Sequence, residues 1–146
     1  MKYRINAIAK HLPGAPIAAE TLEQATALRP SWIAKNSGVL HRHRASATDS
    51  LASMGASALR DALAHSDLSM SDLDLLLFGS GSFDYPIPYN ACLLKQALGA
   101  QGVPFPYYDV DAACRWLSLL RLTARCAPAR LLLQDAGPPP SLSDLR

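Results

Sequence analysis

The sequence lacks the features that mark several common classes of protein. Its three cysteines, Cys92, Cys114 and Cys126, form no Cys-x-x-Cys pair, which argues against a disulfide framework and against a zinc site. Lysine and arginine number 14 against 12 for aspartate and glutamate, so a net charge of +2 attracts neither nucleic acid nor a membrane surface. Function must therefore be sought in specific sites.

Long hydrophobic runs are also missing. The longest, residues 75–78, is far shorter than the ~18 residues that a membrane helix requires. The apolar stretch near the N-terminus is interrupted by Lys10 and lacks a convincing cleavage site for a signal peptide. These absences predict a cytoplasmic protein that does not enter a membrane and whose thiols are reduced.

The hydrophobic pattern predicts an α/β domain. Residues 3–9 alternate like a short strand, and residues 51–62 repeat with the period of an amphipathic helix that Thr48 or Asp49 could cap. Residues 75–80 are continuously apolar, as in a parallel strand covered on both faces, and Asn90 is predicted to cap the next helix. At 146 residues the length implies a single domain, with a sheet covered by helices.

Two loops and a tail complete this organisation. Residues 29–44 are predicted to form a polar, basic loop that carries one large aromatic, Trp32. Residues 79–88 form a long loop whose two prolines favour extended geometry. The partial domain is expected to span residues 1–127, and residues 128–146 a disordered or non-native tail.

Cys114 is the candidate nucleophile. It ends an extended run, residues 105–114, and precedes a helix-like segment, residues 115–127. The positive end of a helix lowers the pKa of a thiol and stabilises the reactive thiolate. The alternative is a small buried residue at the end of a strand, because free cysteines are among the most buried side chains.

Several segments, taken together, resemble the N-terminal half of the β-ketoacyl-[acyl-carrier-protein] synthase III family, the condensing enzymes of the thiolase fold. Residues 31–39 with Arg42 and Arg44 look like the family's Trp-Ile, Thr-Gly-Ile and Arg element. The segment Tyr108-Asp-Val-Asp-Ala-Ala-Cys114 resembles its nucleophile motif. The other matches, in the family's order, are residues 49–63, 72–80, 84–88 and 90–100, and the match extends over residues 1–114.

The resemblance implies a thiolase-like fold and an acyltransferase of fatty-acid or polyketide initiation. In this family a cysteine thiolate takes an acyl group from acyl-CoA, and backbone N–H groups hold the oxyanion. The acyl-cysteine then condenses with malonyl-acyl-carrier-protein, assisted by a His and an Asn of the C-terminal half. The resemblance further implies no permanently bound cofactor, an acyl carrier protein as partner and a homodimer.

Two binding residues follow from the resemblance. Trp32 would stack on the adenine of coenzyme A; the alternative is a half-buried packing residue. Ile87 matches a position that lines the acyl pocket of the neighbouring subunit; the alternative is a simple anchor for its loop. Asn36 stands where the family often has an arginine, so Lys35, Arg42 or Arg44 would have to pair with the phosphates of the coenzyme.

The sequence departs from the family directly after Cys114. The family has a small residue, Gly and Phe there, whereas this chain has Arg115, Trp116 and Leu117, which would crowd the oxyanion region. If the Arg115 codon ends in GG, the Trp codon TGG and a following Leu codon can be read one base later as Gly-Gly-Phe. We therefore expect a one-base insertion after the Cys114 codon, which sequencing of the gene would test.

A second function class stays open at this point. The chain could be a catalytically inactive, truncated fragment or a binding half that needs a complementary chain. Half of a two-lobed fold leaves apolar faces uncovered, and such faces drive association.

Overall fold

The computed structural model describes residues 5–104, 106–111 and 131–136, and only the backbone of residues 110, 111 and 131–136. Within these residues the chain divides into two compact units, and the predicted bounds, a domain over residues 1–127 and a tail over residues 128–146, stay a prediction. The smaller unit covers residues 12–49, and the larger contains residues 5–11 and the described chain from Ser50 onward. Each unit has its own elements and its own buried residues.

The smaller unit combines a short antiparallel pair with two short helices. Strand β1, Ile17–Ala18, pairs with β2, His41–Arg42. Helix α1 spans Ala19–Ala25. Helix α2, Trp32–Ser37, ends at Gly38, whose φ of +69° is the left-handed conformation that favours glycine. The expectation of a loop over residues 29–44 is therefore wrong for α2 and β2.

The larger unit is built around a parallel sheet of three strands. Strand β3 lies in the centre, with β4 and β5 on either side, both parallel to it. The elements in chain order are α3, Leu51–Ala64; a 3-10 turn, Met70–Asp72; β3, Leu75–Ser80; α4, Asn90–Ala97; β4, Tyr107–Asp111; and β5, Leu131–Ala136. The predicted central strand and the two predicted helices are confirmed.

The core of the larger unit lies where α3 and α4 pack on β3. Leu76 and Phe78 point to the same face of the strand because they are two residues apart, and both are almost fully buried. The helices cover them through their own buried apolar side chains. The core consists of Leu51, Ala56, Leu59, Leu73, Leu76, Phe78, Ala91, Leu94 and Ala100.

The start of α3 differs from the predicted capping. Ser50 is the N-cap; its hydroxyl accepts from the backbone N–H of Ser53, whose hydroxyl accepts in turn from the N–H of Ser50. Asp49 instead accepts from the N–H of Ser46 at 2.7 Å. Thr48 and Asp49 therefore belong to the turn that precedes the helix.

One further expectation is corrected by the backbone. No strand pairs with residues 5–9 within the described chain, and Ile5 and Ile8 are 75% and 81% exposed. An alternating segment becomes a strand only when the edge of another strand accepts its hydrogen bonds. Residues 131–136, within the predicted disordered or non-native tail, form β5, which pairs with β3 from Leu75 to Ser80. The predicted helix over residues 115–127 lies outside the described residues.

No helix among the described residues is long and apolar enough to span a bilayer.

Candidate active site

The candidate site lies at the carboxyl edge of the parallel sheet. Ser80, the last residue of β3, pairs in register with Asp111, the last residue of β4. The loop over residues 81–89 leaves β3 at this edge, which is where ligands bind in open α/β sheets. Cys114 follows Asp111 by three residues in the sequence and lies outside the described residues.

The carboxylate of Asp109, on β4, holds the beginning of α4. The backbone N–H of Asn90 donates to its Oδ2 at 2.7 Å, and the N–H of Ala91 donates to its Oδ1 at 2.6 Å. The first N–H groups of a helix have no partner within the helix, and their positive end attracts a carboxylate. A residue on the neighbouring strand therefore caps α4.

Asn90 itself is fully buried and faces the loop rather than the helix end. Its Nδ2 donates to the carbonyl of Ser82 at 3.0 Å, and its Oδ1 accepts from the N–H of Asp84 at 3.1 Å. The predicted role of Asn90 as helix cap is wrong, since Tyr89 occupies the N-cap position without a capping side chain. The buried amide instead fixes the first part of the loop.

The carboxylate of Asp84 joins the same loop to α3. The N–H of Leu51 donates to its Oδ1 at 2.9 Å, and the N–H of Ala52 donates to its Oδ2 at 3.1 Å. Asp84 and Asp109 thus repeat one arrangement, in which both oxygens of a carboxylate bind the first two N–H groups of a helix. The loop is held from both sides.

The other face of the loop is apolar and exposed. Phe83, Tyr85, Pro86 and Tyr89 line an open hollow of about 490 Å³. Ile87, which precedes Pro88 through a cis peptide bond, is 85% exposed. Large exposed apolar side chains that cluster in this way indicate a surface for an apolar ligand or a partner.

Tyr107, on β4, contacts two side chains of α4. A side-chain hydrogen bond to Cys92, together with the charge interaction between the two groups, raises the pKa of Tyr107 above its usual value. The Nζ of Lys95 lies 5.3 Å from the centre of the Tyr107 ring. Cys92 and Lys95 of α4 thus both lie beside the side chain of Tyr107.

Trp32 is the first residue of α2, in the smaller unit, and its side chain is 42% exposed. The buried carboxylate of Glu23 brackets it: the N–H groups of Ser31 and Ile33 each donate to a Glu23 oxygen at 2.8 Å. Ser31 adopts the left-handed conformation with φ of 62°, which is uncommon for residues other than glycine. The two hydrogen bonds hold this conformation and fix the backbone on both sides of Trp32.

Replacing Glu23 by alanine is expected to release α2. Two backbone N–H groups lose their acceptor, which costs about 1–3 kcal/mol for each group that stays buried. With Trp116 changed to phenylalanine so that Trp32 alone emits, Glu23→Ala should shift the fluorescence towards that of a solvated indole. Glu20→Ala, at an exposed position of the same helix, is the matched control and should leave the spectrum unchanged. Identical spectra for the two variants would contradict the bracketing role.

No family model matches the chain, but curated relatives do. The Beta-ketoacyl-[acyl-carrier-protein] synthase III of Methylococcus capsulatus is 33% identical over 111 residues, which are 76% of this chain and 34% of that protein. The protein of the same name from Neisseria gonorrhoeae is 30% identical over 115 residues, 78% of this chain and 36% of that protein. The matched segment belongs to the β-ketoacyl-[acyl-carrier-protein] synthase III family. The chain spans about a third of the length of these relatives.

A solved structure of a synthase III has the same fold. The 3-oxoacyl-[acyl-carrier-protein] synthase III of Aquifex aeolicus superposes with a TM-score of 0.76 at 24% identity. The superposition covers 90% of this chain and 44% of that one. The predicted α/β, thiolase-like fold class is confirmed.

The structure places the predicted synthase III residues as follows. Trp32 belongs to the smaller unit and Ile87 to the larger, and both are exposed. Their predicted binding roles stay predictions, as does the role of Cys114. Both readings of Ile87, a residue of the acyl pocket and a simple anchor for its loop, therefore stay open.

Two structural residues escaped the sequence analysis, Asp109 in the larger unit and Glu23 in the smaller one, and Asn90 was assigned the wrong role. One signal was present for Asp109, because an acidic residue inside an apolar strand must find hydrogen-bond donors. No sequence pattern marks Glu23, because only the fold brings the N–H groups of Ser31 and Ile33 to its carboxylate. These residues determine where the loop and Trp32 stand.

Proposed function

We propose that this chain accepts an acyl group from an acyl-CoA thioester on Cys114, as the first half of a condensing reaction. The observation that carries the proposal is the register of the sheet, in which Ser80 pairs with Asp111. Three residues of extended chain span at most about 11 Å, so Cys114 follows β4 closely. In the sequence Cys114 comes three residues after the end of β4, and the apolar loop begins directly after the end of β3 at the same edge of the sheet.

The first step exchanges one thioester for another. The Cys114 thiolate attacks the carbonyl carbon of the acyl-CoA, and a tetrahedral oxyanion forms. The bond between the carbonyl carbon and the sulfur of coenzyme A then breaks. Acyl-Cys114 results, and the thiolate of coenzyme A leaves and takes up a proton.

The two exposed residues contribute substrate binding in this proposal. Trp32 stacks on the adenine of coenzyme A. Its flat indole suits this role, and the carboxylate of Glu23 fixes the helix end on which Trp32 lies. Lys35 and Arg42 are exposed in the same unit and supply positive charge for the phosphates. Ile87 contributes apolar surface to the acyl group, in the pocket of a second subunit of a homodimer.

The second step uses an acyl carrier protein as partner. Malonyl-acyl-carrier-protein loses carbon dioxide, and the resulting carbanion attacks the carbonyl carbon of acyl-Cys114. A new carbon–carbon bond forms, and the sulfur of Cys114 leaves as thiolate. No permanently bound cofactor takes part in either step, since the thioester itself provides the activated acyl group.

Intact-mass spectrometry tests the first step. Incubation of the 146-residue chain with acetyl-CoA should add the mass of one acetyl group. The adduct should be lost in Cys114→Ala and kept in Cys92→Ala and Cys126→Ala, which are matched controls because they remove the other two thiols. Hydroxylamine should remove the adduct, as expected of a thioester.

Two outcomes would contradict the proposal. An adduct that survives in Cys114→Ala would exclude Cys114 as acceptor. If the wild-type chain gains no mass, the proposal that the chain is acylated by itself is wrong. The alternative that it acts only together with a complementary chain is then favoured.

A further inference from the structure

We propose that Asp109 is a positioning residue that sets where the loop over residues 81–89 stands, and thereby which acyl groups Cys114 accepts. The statement about acyl groups rests on the proposed function. The statement about the loop rests only on hydrogen bonds between described residues.

Asp109 is itself held rigidly. It lies on β4, whose pairing with β3 extends from Leu76 and Tyr107 to Ser80 and Asp111. Both carboxylate oxygens are used, one for the N–H of Asn90 and one for that of Ala91. The beginning of α4 is therefore hydrogen-bonded to β4, the strand that precedes Cys114 in the sequence.

Asn90 carries this constraint into the loop. Its N–H is bound by Asp109, and its buried side chain holds the carbonyl of Ser82 and the N–H of Asp84. A displacement of the Asn90 backbone must therefore move residues 82–84 as well. Asp84 in turn binds the N–H groups at the beginning of α3.

The apolar side chains lie along the stretch between these attachment points. Phe83, Tyr85, Ile87 and Tyr89 are between 51% and 85% exposed, so packing against the core does not determine their positions. Among the described residues, hydrogen bonds at 82, 84 and 90 attach this stretch to the rest of the unit. The hydrogen bonds of Asp109 thus act on the surface that the proposed function assigns to the acyl group.

The charge of Asp109 suits this role better than a neutral amide would. Each oxygen accepts from one N–H at the positive end of a helix, where hydrogen bonds to a carboxylate are strong. In Asp109→Asn one acceptor becomes an NH₂ group that faces a backbone N–H. One hydrogen bond is lost and two donors oppose each other, so the helix end and the loop are released.

Amide hydrogen exchange of the full chain tests the positioning. Asp109→Asn should speed exchange over residues 82–91 by about tenfold or more, because local opening becomes easier. Asp72→Asn is the matched control: its carboxylate also accepts the N–H at the start of a turn, that of Ser69, away from the loop. It should leave residues 82–91 at the wild-type rate. Equal exchange in wild type and Asp109→Asn, or equal acceleration by the control, overturns the proposal.

A second variant guards against loss of the fold. Asp109→Glu keeps both oxygens and the charge but displaces them by one methylene. Slow exchange of α3 amides shows that a variant is folded. Exchange of the loop in Asp109→Glu should lie between wild type and Asp109→Asn, and a loop as slow as wild type in both folded variants overturns the proposal.

The acyl preference provides a readout that a purely structural role would not change. We expect the ratio of acylation rates with acetyl-CoA and octanoyl-CoA to change by about fivefold or more in Asp109→Asn and to stay constant in Asp72→Asn. If the ratio in Asp109→Asn equals that of wild type, whatever the absolute rates, Asp109 does not influence which acyl groups are accepted. If wild type accepts neither acyl group, the proposed function and the acyl preference fail together, and the exchange experiment alone decides the positioning.

Discussion

Phe78→Ala is expected to lower the free energy of unfolding by about 3–5 kcal/mol. Phe78 is 1% exposed, lies on the central strand β3 and belongs to the core that α3 and α4 cover. Truncation removes a large apolar side chain from the core. It also leaves a cavity, because the neighbouring strands cannot move in far enough to fill it. Small domains are stable by about 5–15 kcal/mol, so this one change removes a large fraction of the total.

Urea denaturation followed by far-UV circular dichroism measures the effect. The matched control is Phe83→Ala, which removes the same atoms from a side chain that is 51% exposed in the loop. The control should cost well under half as much, because exposed apolar atoms change their environment little on unfolding. If both variants unfold at the same urea concentration, the assignment of Phe78 to the core is wrong.

Asn90→Ala is expected to have the second largest effect. The carbonyl of Ser82 and the N–H of Asp84 lose their partner, at a cost of about 1–3 kcal/mol for each group that water cannot reach. Because the side chain is fully buried, a small cavity adds to this loss. The loop should become easier to cleave as well as the domain less stable.

Limited proteolysis separates the two consequences. Asn90→Ala should be cut faster within residues 81–89, even in conditions under which the core of the unit stays folded. Asn36→Ala is the matched control, since the exposed Asn36 side chain donates a single hydrogen bond, to the carbonyl of Trp32 at 2.8 Å. A loop that resists protease equally in wild type and Asn90→Ala would contradict the role of the buried amide.

The sequence predicted the central elements well for a physical reason. Burial on both faces requires a continuous apolar strand, which is what residues 75–80 show, and a helix that covers a sheet requires the period of residues 51–62. These patterns are local and repeat several times. The identity of a single side chain hardly alters them.

Caps and edge strands were not predictable in this way. Asp49 and Ser50 are adjacent, and aspartate and serine are about equally favoured at the N-cap of a helix. The turn that Asp49 makes with Ser46 decides between them. The absence of a strand at residues 5–9 and the strand β5 at residues 131–136 depend on whether the edge of another strand is available. That availability is a property of the whole fold.

The candidate site depends both on local sequence patterns and on contacts that form only in the folded chain. The motif around Cys114 and the exposed apolar loop could be read from residue types alone. The hydrogen bonds of Asp109 and Asp84 join positions 18 to 33 residues apart, and no local pattern marks them. Those of the Asn90 side chain join positions 6 and 8 residues apart, across the loop. Relatives confirm the family, whereas only contacts show how the loop is attached.

The sequence by itself determined the α/β class, the buried central strand, the long helix before it and the residues to examine for chemistry. It did so because apolar periodicity and motif composition are properties of neighbouring residues. The tertiary structure decided which carboxylates hold the two helix ends, which asparagine is buried and which segments become edge strands. A hydrogen bond requires two groups within about 3 Å, and for distant residues only the folded chain brings them that close.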